Sequence, residues 1–117
     1  MPEPAKNRRY ARIGLPRGMV ISWQGKGIHV VSRVGTIGLG GLFIDVPDPP
    51  PLGEIIQLLF EVPDGEVRAR AIVRSLHPGK GMGVEFTFMA SEARARLHRL
   101  LSKLLGSLDL QAGLAAR

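Results

Sequence analysis

Glu66-Val67-Arg68-Ala69-Arg70-Ala71-Ile72-Val73-Arg74-Ser75-Leu76 alternates apolar and polar residues almost without a break. Val67, Ala69, Ala71 and Val73 share one face of an extended chain, and Arg68, Arg70, Ile72 and Arg74 share the other. Successive side chains of a strand point to opposite faces, so this stretch reads as a strand with one face in a core and one toward water. Working outward, Pro63-Asp64-Gly65 is a turn preceded by the apolar run Ile55–Val62. His77-Pro78-Gly79-Lys80-Gly81 turns the chain into Met82–Phe88. Nearer the N-terminus, Leu15–Trp23 ends at the hairpin signal Gln24-Gly25-Lys26-Gly27 and Ile28–Thr36 follows. Gly38-Leu39-Gly40-Gly41 then leads into Leu42-Phe43-Ile44, ahead of a hard break at Pro47-Asp48-Pro49-Pro50-Pro51. Five or six short strands at this spacing predict a mostly β chain, an antiparallel sandwich or barrel.

The period changes at Ser91. Leu97, Leu100, Leu101, Leu104, Leu105 and Leu108 fall on one helical stripe, with Arg96, Arg99 and Lys103 off it. Ser91 suits an N-cap, Glu92 suits the positive end of the helix dipole, and Gly106 is a candidate terminator. The predicted organisation is a flexible basic arm over 1–14, barrel or sandwich plus helix over 15–105, and a frayed tail over 106–117. The leucine stripe reads as a plug over the sheet's core rather than as a membrane-surface element.

Composition narrows the classes. The 117 residues carry 16 Lys+Arg against 10 Asp+Glu, a formal charge of +6, and no cysteine. Disulfides, thiolate chemistry and cysteine-rich metal modules are therefore excluded. The charge favours an anionic partner without naming it. The charge-free stretch Val34–Ile44 is too short and too rich in glycine to span a bilayer, and Met1–Arg12 has no apolar signal region. The expectation is a cytoplasmic protein with no membrane insertion.

Catalytic signals are weak, and the expectation is a protein that is not an enzyme. His29, His77 and His98 fall in a strand, a turn and a helix with no metal-ligand spacing. Gly25-Lys26-Gly27 lacks the hydroxyl and the helix of a phosphate loop, and the 38–41 glycines precede a strand where a dinucleotide site needs a helix. A nucleic-acid-binding barrel is the weaker alternative. Such platforms stack bases on exposed aromatics, whereas most of Tyr10, Trp23, Phe43, Phe60, Phe86 and Phe88 occupy apolar strand positions that suit a core. The basic strand face at Arg68, Arg70 and Arg74 is expected to have no aromatic interleaved with it.

One combination outranks these. Arg8-Arg9-Tyr10-Ala11-Arg12 spells R-x-x-x-R just before the first strand. Thr36-Ile37-Gly38-Leu39-Gly40-Gly41-Leu42-Phe43-Ile44 joins two strands, and Gly81-Met82-Gly83-Val84-Glu85-Phe86 closes the sheet ahead of the helix. In order and spacing these resemble the PilZ domain family, from about Arg8 to Leu105. The resemblance implies a six-stranded antiparallel β-barrel with a C-terminal amphipathic helix, and a receptor for the bacterial second messenger cyclic di-GMP. It implies that Arg8, Arg9 and Arg12 hold guanine and phosphate, with Thr36, Gly38 and Gly41 as the opposite wall. An arginine fork can pair with guanine O6 and N7 or with phosphate oxygens, and its flat face stacks on a purine.

The second motif of the family is Asp or Asn, one residue, Ser, two residues, Gly. Thr36, Gly38 and Gly41 stand in those slots, so only the last is kept. Degenerate PilZ domains that do not bind the messenger form a known class that contacts other proteins. The alternative is therefore a ligand-free adaptor docking a protein partner in motility or secretion.

Overall fold

Alternation, two- and three-residue turns and one leucine stripe build the observed architecture. The computed structural model describes the backbone of residues 13–116 and the side chains of 19–106. The strands are β1 (Ile13–Gly25), β2 (Ile28–Ile37), β3 (Gly41–Asp45), β4 (Ile55–Val62), β5 (Gly65–His77) and β6 (Gly81–Met89), followed by helix α1 (Ser91–Ala116). All neighbours pair antiparallel in the ring order β1-β2-β3-β6-β5-β4, and β4 returns to β1 to close a six-stranded barrel. Closure gives every strand two neighbours, the β1–β4 seam being paired only over Ser22–Gln24 and Gln57–Leu59.

The turns do what their residues allow. Lys26 (φ 53°) and Gly27 (φ 76°) both take positive φ between paired Gly25 and Ile28, the mirror-image turn that suits a twisted hairpin. Gly65 and Gly79 likewise take positive φ at the β4–β5 and β5–β6 turns. The proline-rich stretch carries the chain from β3 past the β5–β6 turn to β4. Val46 N–H donates to Lys80 O, Gly79 N–H to Pro47 O and Gly53 N–H to Val73 O along the way.

The interior is apolar throughout. Ile21, Ile37, Leu42, Ile44, Ile56, Val67, Val73, Met82 and Val84 are essentially inaccessible, and among the described residues no polar or charged one is buried. Val67, Ala69, Ala71 and Val73 all face inward, as their alternation requires. Ala93, Leu97 and Leu101, one turn apart on α1, join the same core as Trp23 and Phe86. The helix packs on β5, β1 and β4. Arg99 bonds Asp64, and Arg96 donates to Glu66 O at 2.9 Å, so the helix is also fastened to the β4–β5 turn.

Three sequence expectations are modified. Ile13 and Gly14, read as the end of the arm, are paired in β1. The helix runs through Gly106 to Ala116 instead of ending at Leu105, because one glycine in a helix costs only about 1 kcal/mol and cannot stop it alone. Phe88 faces outward and is 62% exposed. A bulge at Thr87 puts Ala71 opposite Phe86 but Arg70 opposite Phe88, which reverses the parity of the strand after Phe86.

Two outcomes test this packing. Leu97→Ala, at a site with no exposure, should lower unfolding stability by about 2–5 kcal/mol. Leu105→Ala, 42% exposed, should stay within about 0.5 kcal/mol in the same urea titration. The Arg99 hydrogen bond holds the Asp64 carboxyl below its ordinary value of 3.8, with further attraction from Arg99, Lys103 and Arg96. A depressed carboxylate contributes stability above the unfolded-state pKa and loses it as pH falls through the folded one. The stability advantage of the parent over Asp64→Asn should therefore be flat near neutral pH and shrink as pH drops below 3.8.

Candidate functional site

The β2–β3 turn is shaped by two irregularities in β2. Against β1, Gly14 pairs with Thr36 and Met19 with Val34, so Leu15–Gly18 bulge out opposite Gly35. Against β3, Val34 pairs with Ile44 and Thr36 with Phe43, so Gly35 is an extra residue on that side too. Val34 and Ile37 consequently both reach the core, while Thr36 between them is only half-buried. Without the bulge, Thr36 would share the inward parity of Val34. The bulge frees its hydroxyl from the core.

Gly38 N–H donates to Gly41 O at 2.9 Å, closing the turn, and Phe86 N–H donates to Gly40 O at 2.9 Å, pinning the turn to β6. Gly41 is glycine for a steric reason. A Cβ there would overlap the Val84 carbonyl oxygen and come within 3.1 Å of the Glu85 Cα. Gly81 faces the same restriction from β3, with Ile44 O and, at 2.7 Å, the Phe43 ring where its Cβ would stand. Phe43 thus lies over Gly81 on the outer face, beside Thr36, with its ring edge-to-face on His77 at 5.4 Å.

Charges on this outer face nearly cancel. Arg33 stands opposite Asp45 across β2 and β3, and Arg74 Nε donates to Glu85 Oε1 at 2.6 Å. A bound phosphate would need its positive charge from another segment. Arg8, Arg9 and Arg12 lie outside the described residues. Thr36, Gly38 and Gly41 are brought together within one turn and its flanking strands. Beside that turn, a cleft of about 510 Å³ runs between Leu39 and the face of α1 bearing Ser91, Arg94 and His98. Among the described residues there is no cluster of potential metal ligands, and no helix is long and apolar enough to cross a membrane.

Comparison with known proteins agrees with this architecture. The chain matches the PilZ domain over residues 6–103. The PilZ domain of YcgR from Escherichia coli with c-di-GMP superposes at a TM-score of 0.72 and 16% identity, over 92% of this chain and 98% of that one. The Bacillus subtilis inhibitor of motility MotI/DgrA gives a TM-score of 0.71 and 19% identity, over 86% of this chain and 52% of that one. The PilZ domain of CeSA from a cellulose-synthesizing bacterium gives 0.63 and 17%, over 80% of this chain and 97% of that one. At these identities the likeness is one of fold, and the chain spans about half the length of MotI. No curated protein matches it.

The steric and chemical roles in the turn should separate by substitution. Gly41→Ala should lower stability by about 1–3 kcal/mol through overpacking against β6. Thr36→Ala, at a half-buried outward position, should cost about 1 kcal/mol or less. Thermal unfolding followed by circular dichroism reads both.

Proposed function

The chain belongs to the PilZ domain family, and on that premise we propose that it is a cyclic di-GMP receptor that passes ligand binding on to a protein partner. One observation carries this reading. Ile13 pairs with Ile37 and Gly14 with Thr36, so the residue joined directly to Arg12 sits opposite the second motif. R-x-x-x-R is thereby tethered within one residue of the turn holding Thr36, Gly38 and Gly41. Arg8, Arg9 and Arg12 supply the positive charge that the balanced outer face lacks, to phosphate oxygens and guanine edges. Thr36 offers one hydroxyl where the family pattern has an acid or amide, and Gly38 offers none where it has serine. Each lost hydrogen-bond partner of a buried ligand group weakens binding by roughly 1–3 kcal/mol, or about five- to 150-fold. YcgR, solved with c-di-GMP, and MotI, an inhibitor of motility, support the ligand class and a motility role. In this reading the protein acts in the cytoplasm, has no catalytic step and needs no cofactor.

A second reading rests on the cleft beside Leu39. Arg94 and His98 present a basic helix face against the motif turn itself. An acidic segment of a partner in motility or secretion would fit that face whether or not the messenger binds, which is the adaptor reading.

Isothermal calorimetry separates them. Arg8→Ala and Arg12→Ala should each abolish or weaken cyclic di-GMP binding by at least tenfold, and Arg8→Lys should not rescue, because lysine lacks the planar fork. Arg117→Ala removes equal charge and should change little. Thr36→Asp with Gly38→Ser should tighten binding if its thermal stability is unchanged. A stable double variant and a parent that both ignore millimolar messenger would leave the adaptor reading.

A further inference from the structure

Away from the motif turn, the outer wall of the barrel carries a ladder of exposed side chains. Cross-strand pairing places His29, Gln24, Gln57, Arg70 and Phe88 in one row across β2, β1, β4, β5 and β6. All five are exposed. The next row runs Ser22, Leu59, Arg68. A cavity of about 380 Å³ opens over both rows, within the size range of small-ligand sites. Glu61 and Glu66 form the row beyond, so the positive stretch ends at Arg68.

We propose that this face is a second, independent binding site for a nucleotide unit, with the base stacked on Phe88 and the phosphate held by Arg70 and Arg68. Phe88 is an aromatic ring 62% open to solvent on a sheet wall, where a phenylalanine otherwise belongs inside. The bulge at Thr87 is what turns it outward, directly beside Arg70. Aromatic face and guanidinium together are the means by which single strands are bound without sequence reading. Among the described residues Arg70 makes no ion pair, and Arg68 has only Glu66 at 3.4 Å, both partners exposed. Gln24 and Gln57 each bring a carbonyl and an amide to the same row, able to meet donors and acceptors on a base edge. Ser22 and His29 share a hydrogen bond of 2.6 Å that fixes the far end. With strands about 4.8 Å apart, the five-member row spans roughly 19 Å, room for more than one base. Free nucleotides and single-stranded nucleic acid carry the same unit.

The test is fluorescence anisotropy of a labelled single-stranded RNA hexamer on the full chain, in the parent and in an Arg12→Ala background. Binding should survive Arg12→Ala, which removes a proposed messenger contact, and saturating cyclic di-GMP should not displace the hexamer. Phe88→Ala should weaken binding roughly five- to 150-fold, and Phe88→Trp should restore it. Arg70→Ala should weaken it at least fivefold and flatten its salt dependence. Lys103→Ala, an equal charge lost from the exposed helix face, should change it less than twofold. Competition by guanosine or adenosine monophosphate as strong per nucleotide as by unlabelled hexamer assigns the site to free nucleotides; much weaker competition assigns it to single strands. No binding at millimolar nucleotide or hexamer overturns the proposal, as do equal losses from Phe88→Ala and Lys103→Ala. Displacement by cyclic di-GMP overturns its independence from the messenger site. A failed messenger titration leaves the Phe88, Arg70 and nucleotide-competition outcomes readable, since none of them uses the messenger.

Discussion

Where β3 lies against β6, the barrel has no room for two side-chain carbons. Gly41 meets the Val84 carbonyl at one end of the pairing, and Gly81 meets Ile44 O and the Phe43 ring at the other. β3 is also the shortest strand, Gly41–Asp45, and is the only link between β2 and β6 in the ring. A β-carbon at either glycine would push these backbones apart at an end of their five-residue pairing. Gly41 of the second motif and Gly81 at the start of β6 therefore both serve closure, and Phe43 covers the bare backbone at Gly81.

A closed ring of six strands must also bend, and bulges supply the bending. Two of them decide what the outer wall offers. The one at Gly35 turns Thr36 out of the core while Val34 and Ile37 stay in it. The one at Thr87 turns Phe88 outward while Phe86 and Met89 stay inside. Each is an irregularity of the barrel that turns a side chain away from the core, one beside the motif turn and one beside Arg70.

The helix completes the core and borders the motif turn. Its Ala93, Leu97 and Leu101 pack with the barrel interior, and Arg96 and Arg99 fasten it to the β4–β5 turn. Its Arg94 and His98 border the cleft beside Leu39. The Gly38–Gly41 turn, through Leu39, and the helix face bearing Arg94 thus border one cleft.

Strand positions, turn chemistry and the leucine stripe were legible in the residues because each depends on local periodicity. Val67 to Val73 face inward as their alternation demands, and Lys26-Gly27 forms the hairpin that its residues favour. The order of R-x-x-x-R and the glycine passage was likewise enough to name a family, because both motifs are short runs of chain. The rest required the folded barrel. Alternation carries no mark of an inserted residue, so Thr87 and Gly35 look like ordinary strand positions, and Phe88 reads as core. An aromatic beside Arg70 cannot be seen along the chain, since the two are separated by a turn and meet only through strand register. Local sequence determined which segments are strands and helix; closure, which forces bulges and fixes register, decided which side chains face the solvent together.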